Sequence, residues 1–186
     1  MRRAFTAVEM LMVLLVVGIL IAAIVPVVRL VQRAAEKRRA GADADALVQA
    51  VMRYRQVYGI WPLDAANTNG GLFVAGTTTG AAPFAAVCPE LQADIDQAEI
   101  LAALAPDSPA NPRRQLFLTV ATNALPGGRL ADPWGQPYLL VMDARRTAFV
   151  LGDLAFSNLD AFAISAGPPS AAVTVSNWIF SAGVKP

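Results

Sequence analysis

Few residues in this chain have a type and spacing suited to chemistry, and the first of them sits where charge is costly. Glu9 interrupts an apolar N-terminus, with Phe5, Thr6, Ala7 and Val8 before it and no charged residue from 10 to 28 after it. A carboxylate at mid-membrane depth costs about 2.5–3.5 kcal/mol on insertion scales, so a glutamate here is a functional candidate unless it lies at the interface. Asp94 and Asp96 are close enough to suggest acid–base chemistry, but carboxylates on a polar helix face are ordinarily solvated. Asp153 and Asp160 fall short of the six to eight oxygen ligands that calcium takes. The sequence holds no histidine. That removes histidine general bases, Ser–His and Cys–His nucleophile pairs, and histidine-ligated zinc. The single cysteine, Cys88, can form neither an internal disulfide nor a cysteine-cluster metal site, and reads as a small core residue. The expectation is no cofactor, no metal and no catalytic constellation.

The elements that hold these residues follow from composition. Of 186 residues, 55% are hydrophobic and only 16% charged, more apolar than a soluble domain usually is. The uncharged run from 10 to 28 would reach about 28 Å as a helix, close to the roughly 30 Å hydrocarbon core of a bilayer. A cleaved secretory signal has a shorter apolar region and a small-residue cleavage site, and this run ends instead in Val25-Pro26-Val27-Val28-Arg29. A membrane anchor is the better reading. Arg2 and Arg3 precede the span while Arg29, Arg33, Lys37, Arg38 and Arg39 follow it, so loop charge alone does not fix orientation. Residues 1–58 carry nine Lys/Arg against four Asp/Glu, net +5, and residues 59–186 carry six against ten, net −4. The near-neutral total hides a basic stalk and a mildly acidic head.

The helix is expected from Phe5 to Tyr58. Leu47, Val51, Tyr54 and Tyr58 recur on one helical face, alanines fill the basic middle, and Gly59 and Pro62 supply a stop. Pro26 permits a kink. Residues 60–90 read as an extended, loop-rich connection and 90–104 as a short amphipathic helix ended by Pro106. Strands are expected at 116–121, 138–142, 148–151 and 162–165, with Asp143-Ala144-Arg145-Arg146 joining the second and third as a hairpin and 173–175 as a further edge. A long helix with a small antiparallel sheet is an α+β arrangement.

The stretch Arg2-Arg3-Ala4-Phe5-Thr6-Ala7-Val8-Glu9-Met10-Leu11 resembles the N-terminus of type IV pilins and of type II secretion pseudopilins. The resemblance implies a leader over 1–4, cleavage between Ala4 and Phe5 by a prepilin peptidase, and N-methylation of Phe5. Ala4 stands where the family usually has glycine. It also implies that Glu9 serves assembly and that Pro26 is the helix proline of the family. The leader would face the cytoplasm, with the head beyond the bacterial inner membrane in the periplasm. Cleavage would leave an α-amine that Glu9 of another copy could pair with, and a paired charge is tolerable in an apolar setting where isolated ones are not.

A second segment, Asp132-Pro133-Trp134-Gly135-Gln136-Pro137-Tyr138, resembles the Asp-Pro-Trp-Gly-x-Pro-Tyr segment of the major pseudopilin class. Asp132 can cap a turn whose Pro133 presets φ and whose Gly135 permits positive φ, with Trp134 pinning that turn against the stalk helix. Tyr54 to Pro62 is also similar to that class, and Asn111-Pro112-Arg113 followed by Leu116-Phe117-Leu118 resembles pseudopilin-like proteins with a larger loop insertion. Major pseudopilins often hold calcium in an acidic loop after a Ser-x-Gly turn. Here the corresponding stretch, Ser165-Ala166-Gly167-Pro168-Pro169-Ser170-Ala171-Ala172-Val173, has no carboxylate.

The expected organisation is thus a leader over 1–4, a transmembrane and filament-core helix over 5–28, its amphipathic continuation over 29–58, and a periplasmic head over 59–186. The fold expected is α+β and pilin-like, with a long N-terminal α-helix packed on a small antiparallel β-sheet head. The expected function is a structural pseudopilin that assembles into a short pseudopilus driving protein export. The alternative is a type IV pilin or minor pilin for adhesion, motility or DNA uptake. Expected partners are the peptidase, other copies and other pseudopilins, the inner-membrane assembly platform and membrane lipid. A head of net negative charge argues against nucleic acid.

Overall fold

A computed structural model describes residues 7–63, 72–76, 95–119, 126–143, 149–151, 154–156, 159–169 and 178–181. Its first element is a 52-residue helix, α1 (Ala7–Tyr58), about 78 Å long at the usual rise. The helix continues through Pro26, which has no N–H to donate to the Ala22 carbonyl. It ends where expected: Gly59 takes a positive φ of 74° and its N–H donates to the Arg55 carbonyl at 2.8 Å. That is a left-handed cap, a conformation glycine reaches without steric cost.

The chain forms two compact units, Met1–Arg38 and Arg39–Pro186. In the first, every described side chain from Ala7 to Ala35 is exposed, and Glu36 is half-buried. The most apolar window of α1 buries none of its residues, so by length and composition this one helix can cross a membrane.

The second unit holds the rest of α1 and the strands β1 (Leu72–Gly76), β2 (Ile95–Asp96), β3 (Leu139–Asp143), β4 (Phe149–Leu151), β5 (Leu154–Phe156), β6 (Ala161–Ser165) and β7 (Ile179–Phe180), with a second helix, α2 (Gln97–Leu104). Five strands form one sheet in the order β2-β1-β3-β6-β7, and β4 and β5 form a separate pair. Register is set by Val74 opposite Val141, Leu140 opposite Ala163, and Ile164 opposite Phe180. The sheet is mixed rather than antiparallel throughout, because β1 and β2 run parallel. Parallel neighbours need a crossover of a dozen or more residues, and residues 77–94 separate these two.

The core lies between the second half of α1 and one face of the sheet. Ala44, Leu47, Ala50, Val51 and Tyr54 pack with Ala75, Ile95, Tyr138, Leu140, Met142 and Ala163, joined by Ile100 and Leu104 of α2. Period-two alternation puts Tyr138, Leu140 and Met142 in this cluster, while Leu139 and Val141 are buried outside it. Strand β3 is therefore enclosed on both faces.

Several sequence expectations are corrected here. Asp143 does not begin a hairpin between β3 and β4, because β1 and β6 already occupy both edges of β3; β4 pairs with β5 instead. Residues 116–119 are not a strand. They carry Phe117 onto the aromatic pair of α1, 5.3 Å from Tyr54 and 6.0 Å from Tyr58 between ring centroids. The short helix starts at Gln97 rather than Glu90, because Ile95 and Asp96 pair with β1 and Asp96 then caps the helix. The expected edge at 173–175 lies outside the described residues, and Ile179 and Phe180 pair with β6.

Candidate functional site

Residues singled out in the sequence fall into two separate regions. Ala4 and Phe5 lie outside the described residues, as do Asp94, Cys88 and Asp153. Glu9 lies in the first turn of α1, exposed, where a carboxylate is favoured by the positive end of the helix dipole. Met10 to Val17 follow it with large apolar side chains 43–72% exposed when Val8 is included, so the described helix presents an apolar surface on all sides around one acid. No described residue of this unit covers that surface.

The Asp132 turn belongs to the second unit, and its carboxylate is buried. One oxygen, Oδ1, accepts the backbone N–H of Trp134 at 3.0 Å and of Gln136 at 2.8 Å. The other, Oδ2, accepts the Ser165 hydroxyl at 2.7 Å. The main chain closes the same loop: Asp132 N–H donates to the Gln136 carbonyl at 2.7 Å, and Gly135 N–H to the Asp132 carbonyl at 2.9 Å. Gly135 has φ 83°, as the turn chemistry requires. Ser165 Oγ also accepts the Gly167 N–H at 3.0 Å, so one carboxylate joins the Asp-Pro-Trp-Gly turn to the Ser-x-Gly turn. Burial pushes the Asp132 carboxyl above its ordinary value, against the opposing pull of Ser165 and the turn amides.

Trp134 does not pin the turn by burial. It is half-exposed and outside the hydrophobic cluster, whereas Trp61 and Trp178 are buried. The fully enclosed ring of the segment is Tyr138, whose hydroxyl has no hydrogen-bond partner among the described residues. Burial pushes the pKa of this hydroxyl strongly up, and the nearby Asp43 and Asp132 charges add to that rise. The turn glycine and the carboxylate are thus used in holding the loop.

Two buried hubs escaped the sequence reading. The Gln97 side chain donates to the Tyr138 carbonyl at 2.9 Å and accepts the Leu130 N–H at 2.7 Å, tying α2 to the strand that follows the turn. The Asn111 side chain donates to the carbonyls of Ala105 at 3.0 Å and Gln115 at 2.7 Å, and its Oδ1 accepts the Tyr58 hydroxyl at 2.7 Å. Tyr54 closes the same contact by donating to the Ala110 carbonyl at 2.7 Å. A single amide at a helix start or in a loop gives no periodic signal; only the Tyr54–Tyr58 spacing and the Asn-Pro pair hinted at Asn111. Of the paired acids, Asp96 caps α2 at Ala98 and binds Arg129, which holds its carboxyl below the ordinary range. Asp160 pairs with Arg55 at 3.2 Å, and that guanidinium also lies 4.4 Å from the Trp61 ring centre. Both acids are therefore engaged as structural groups.

Among the described residues no group of three or more His, Cys, Asp or Glu side chains is placed to hold a metal. A shallow cleft of about 570 Å³ lies beside α2, lined by Pro62, Leu63, Ile95, Ile100 and Pro109, with Glu99 as its one carboxylate. It contains no nucleophile with an activating base. No family model, curated protein or solved structure matches the chain.

Proposed function

We propose that this chain is a structural pseudopilin of a type II secretion system, which assembles through its N-terminal helix into a short periplasmic pseudopilus. The observation that carries the reading is the division of α1. Its first part is apolar on every side with a single acid in the first turn, and its last part is the backbone of an independently packed head. An apolar surface of that extent needs lipid or other copies of the same helix to cover it. Cutting between Ala4 and Phe5 by a prepilin peptidase supplies an α-amine, subsequently methylated, for Glu9 of a neighbouring copy.

The Asp132–Gly135 turn, similar to that of major pseudopilins, supports this class over the alternative of a type IV pilin or minor pilin. A single cysteine also leaves no internal disulfide to close an adhesive loop. No residues converge as a catalyst among those described, so an enzyme is not proposed. The head would sit in the periplasm and the anchor in the inner membrane, in contact with an assembly platform there.

The test is to express the native chain with its peptidase, read its N-terminus by mass spectrometry, and crosslink in the membrane. The expected species begins at methylated Phe5. Glu9→Gln and Glu9→Val should be inserted and cleaved normally yet fail to crosslink into filaments, because the unpaired amine is then the costly group. Normal filaments from cleaved Glu9→Val protein would remove Glu9 from assembly. An intact Met1 in assembled material would overturn the processing.

A further inference from the structure

Three arginines of the second unit are held in ion pairs. Arg55 pairs with Asp160, Arg129 with Asp96, and Arg39 with Asp43 on the following helical turn. The basic stretch of the first unit is a cluster with no such pair among the described residues. Arg29, Arg33, Lys37 and Arg38 are all exposed, and among the described residues none of them forms an ion pair. Glu36 shares the stretch without pairing to any of them, so residues 29–38 carry an unneutralised net +3.

Placement sharpens this. The uncharged run ends at Val28 and the first cation is the next residue. Arg29, Arg33 and Lys37 recur every four residues, which keeps them within about 80° of arc on α1. Arg33 lies about 6 Å and Lys37 about 12 Å along the axis from Arg29. The polar layer of a leaflet is only about 5–8 Å deep beyond the hydrocarbon. Arg29 and Arg33 therefore fall within that layer when the apolar run fills the bilayer. Lys37 and Arg38 reach back with long stems, all within about one Debye length of the surface.

We propose that Arg29, Arg33, Lys37 and Arg38 form a collar that binds acidic phospholipid headgroups of the leaflet from which α1 emerges. This rests on the reading of the apolar run as a membrane span. Guanidinium forks suit phosphate oxygens geometrically, and an ammonium adds point charge. Each cation near an anionic leaflet contributes a factor of about five to binding, and the four together outweigh Glu36. The collar gives the stored subunit a preference for acidic lipid that it surrenders on leaving the bilayer. Withdrawal into a filament is thus harder from acidic membrane than from neutral membrane.

The full chain is reconstituted into vesicles of equal phosphatidylglycerol and phosphatidylcholine, released in mild detergent, and its retained lipid counted by native mass spectrometry. Phosphatidylglycerol should exceed phosphatidylcholine at least fivefold. The excess should fall to near parity in the variant carrying Arg29→Gln, Arg33→Gln, Lys37→Gln and Arg38→Gln, and should shrink as salt rises from 50 to 500 mM. Parity in the unaltered chain, or an excess that survives the four substitutions, overturns the collar. A variant that keeps its lipid preference but loses self-crosslinking would make the cluster a protein contact and overturn it as well. Resistance to alkaline carbonate is scored in parallel. A chain stripped from vesicles by carbonate refutes the span itself, and the collar with it, whereas a resistant chain at lipid parity refutes only the collar.

Discussion

The two ends of α1 are built from the same backbone but obey different rules. From Met10 to Val28 nearly every residue is apolar, none is buried, and no face differs from another. From Ala40 to Tyr54 the buried residues are Ala40, Ala44, Leu47, Ala50, Val51 and Tyr54, a stripe at helical spacing with polar residues between. A stripe means that one side meets protein and the other meets water. Uniform apolarity means that no single side has been chosen, as suits lipid or a multi-sided filament contact. The comparison teaches that the helix has one segment whose partner is inside the head and one that no described residue covers.

That comparison breaks most readily at Leu47. Leu47→Ala should lower the unfolding free energy of the full chain in detergent by about 2–5 kcal/mol, whereas Leu15→Ala should change it by less than about 0.5 kcal/mol. Chemical denaturation followed by tryptophan emission reads both, because Trp61 and Trp178 are buried in the head. Equal effects would mean that the apolar segment is packed on the head.

The next largest effect is expected at Asp132, which has no counterpart in the first unit. Asp132→Ala strands the Trp134 and Gln136 amides and the Ser165 hydroxyl, a loss of about 3 kcal/mol. Asp132→Asn keeps an acceptor for the amides and a donor for Ser165, and should cost under about 1 kcal/mol. The pair also gives a pH signature. Because the folded carboxyl sits above its ordinary value, the native state holds the proton longer than the unfolded chain. Its contribution to stability therefore falls as pH rises from the ordinary aspartate value through the folded one. Asn should abolish that slope. Asp96 has the opposite sign: its stability is present above the ordinary value of 3.8 and is lost as pH falls through its lowered one.

Gly59→Ala should cost about 1–2 kcal/mol, since its φ of 74° is strained for a side chain although no atom crowds the added methyl. Gly18→Ala, in the helical interior of the apolar run with nothing near it, should be neutral or slightly favourable. The smallest effect sought is at Tyr138. Removing its unpartnered hydroxyl in Tyr138→Phe should leave the melting temperature unchanged or raise it by a few degrees. A clear loss of stability would reveal a hydrogen bond to that oxygen.

Much of the helix was legible because its signals are local. The uncharged run, the Leu47-Val51-Tyr54 spacing and the Gly59 stop each act within a few residues. The sheet was only half legible. The strands at 139–143, 149–151 and 161–165 stood out as apolar runs, but their pairing did not. Position 143 offered a plausible turn, yet β3 is central, and centrality depends on β1 arriving from more than sixty residues upstream. The better hairpin signal was Gly152-Asp153, two turn-forming residues between Leu151 and Leu154, which do belong to paired strands. At the candidate turn, Asp132, Pro133 and Gly135 follow their local chemistry. Trp134 was misjudged because ring size suggests burial, whereas it lies in the turn itself and Tyr138, next to β3, carries the enclosed ring. Gln97 and Asn111 were illegible for a different reason: a buried amide is recognised by its partners, and Leu130 and Tyr138 lie 33 and 41 residues from Gln97, and Tyr58 53 residues from Asn111.

Asn111 has a consequence for proteases. Arg113 and Arg114 are exposed and lie in a segment without regular structure, so on accessibility alone they invite trypsin. A protease, however, must draw roughly ten residues into an extended strand, and this segment is tethered throughout. Asn111 holds both ends of the loop, the Arg113 amide donates to the Tyr58 hydroxyl at 3.1 Å, and Phe117 is seated on the aromatic pair just beyond. Cleavage there should wait for the loop to lift from the end of α1 and, with reclosing faster than cutting, proceed in proportion to the lifted population. The nick would then gauge the free energy of local unfolding in the head rather than map its surface.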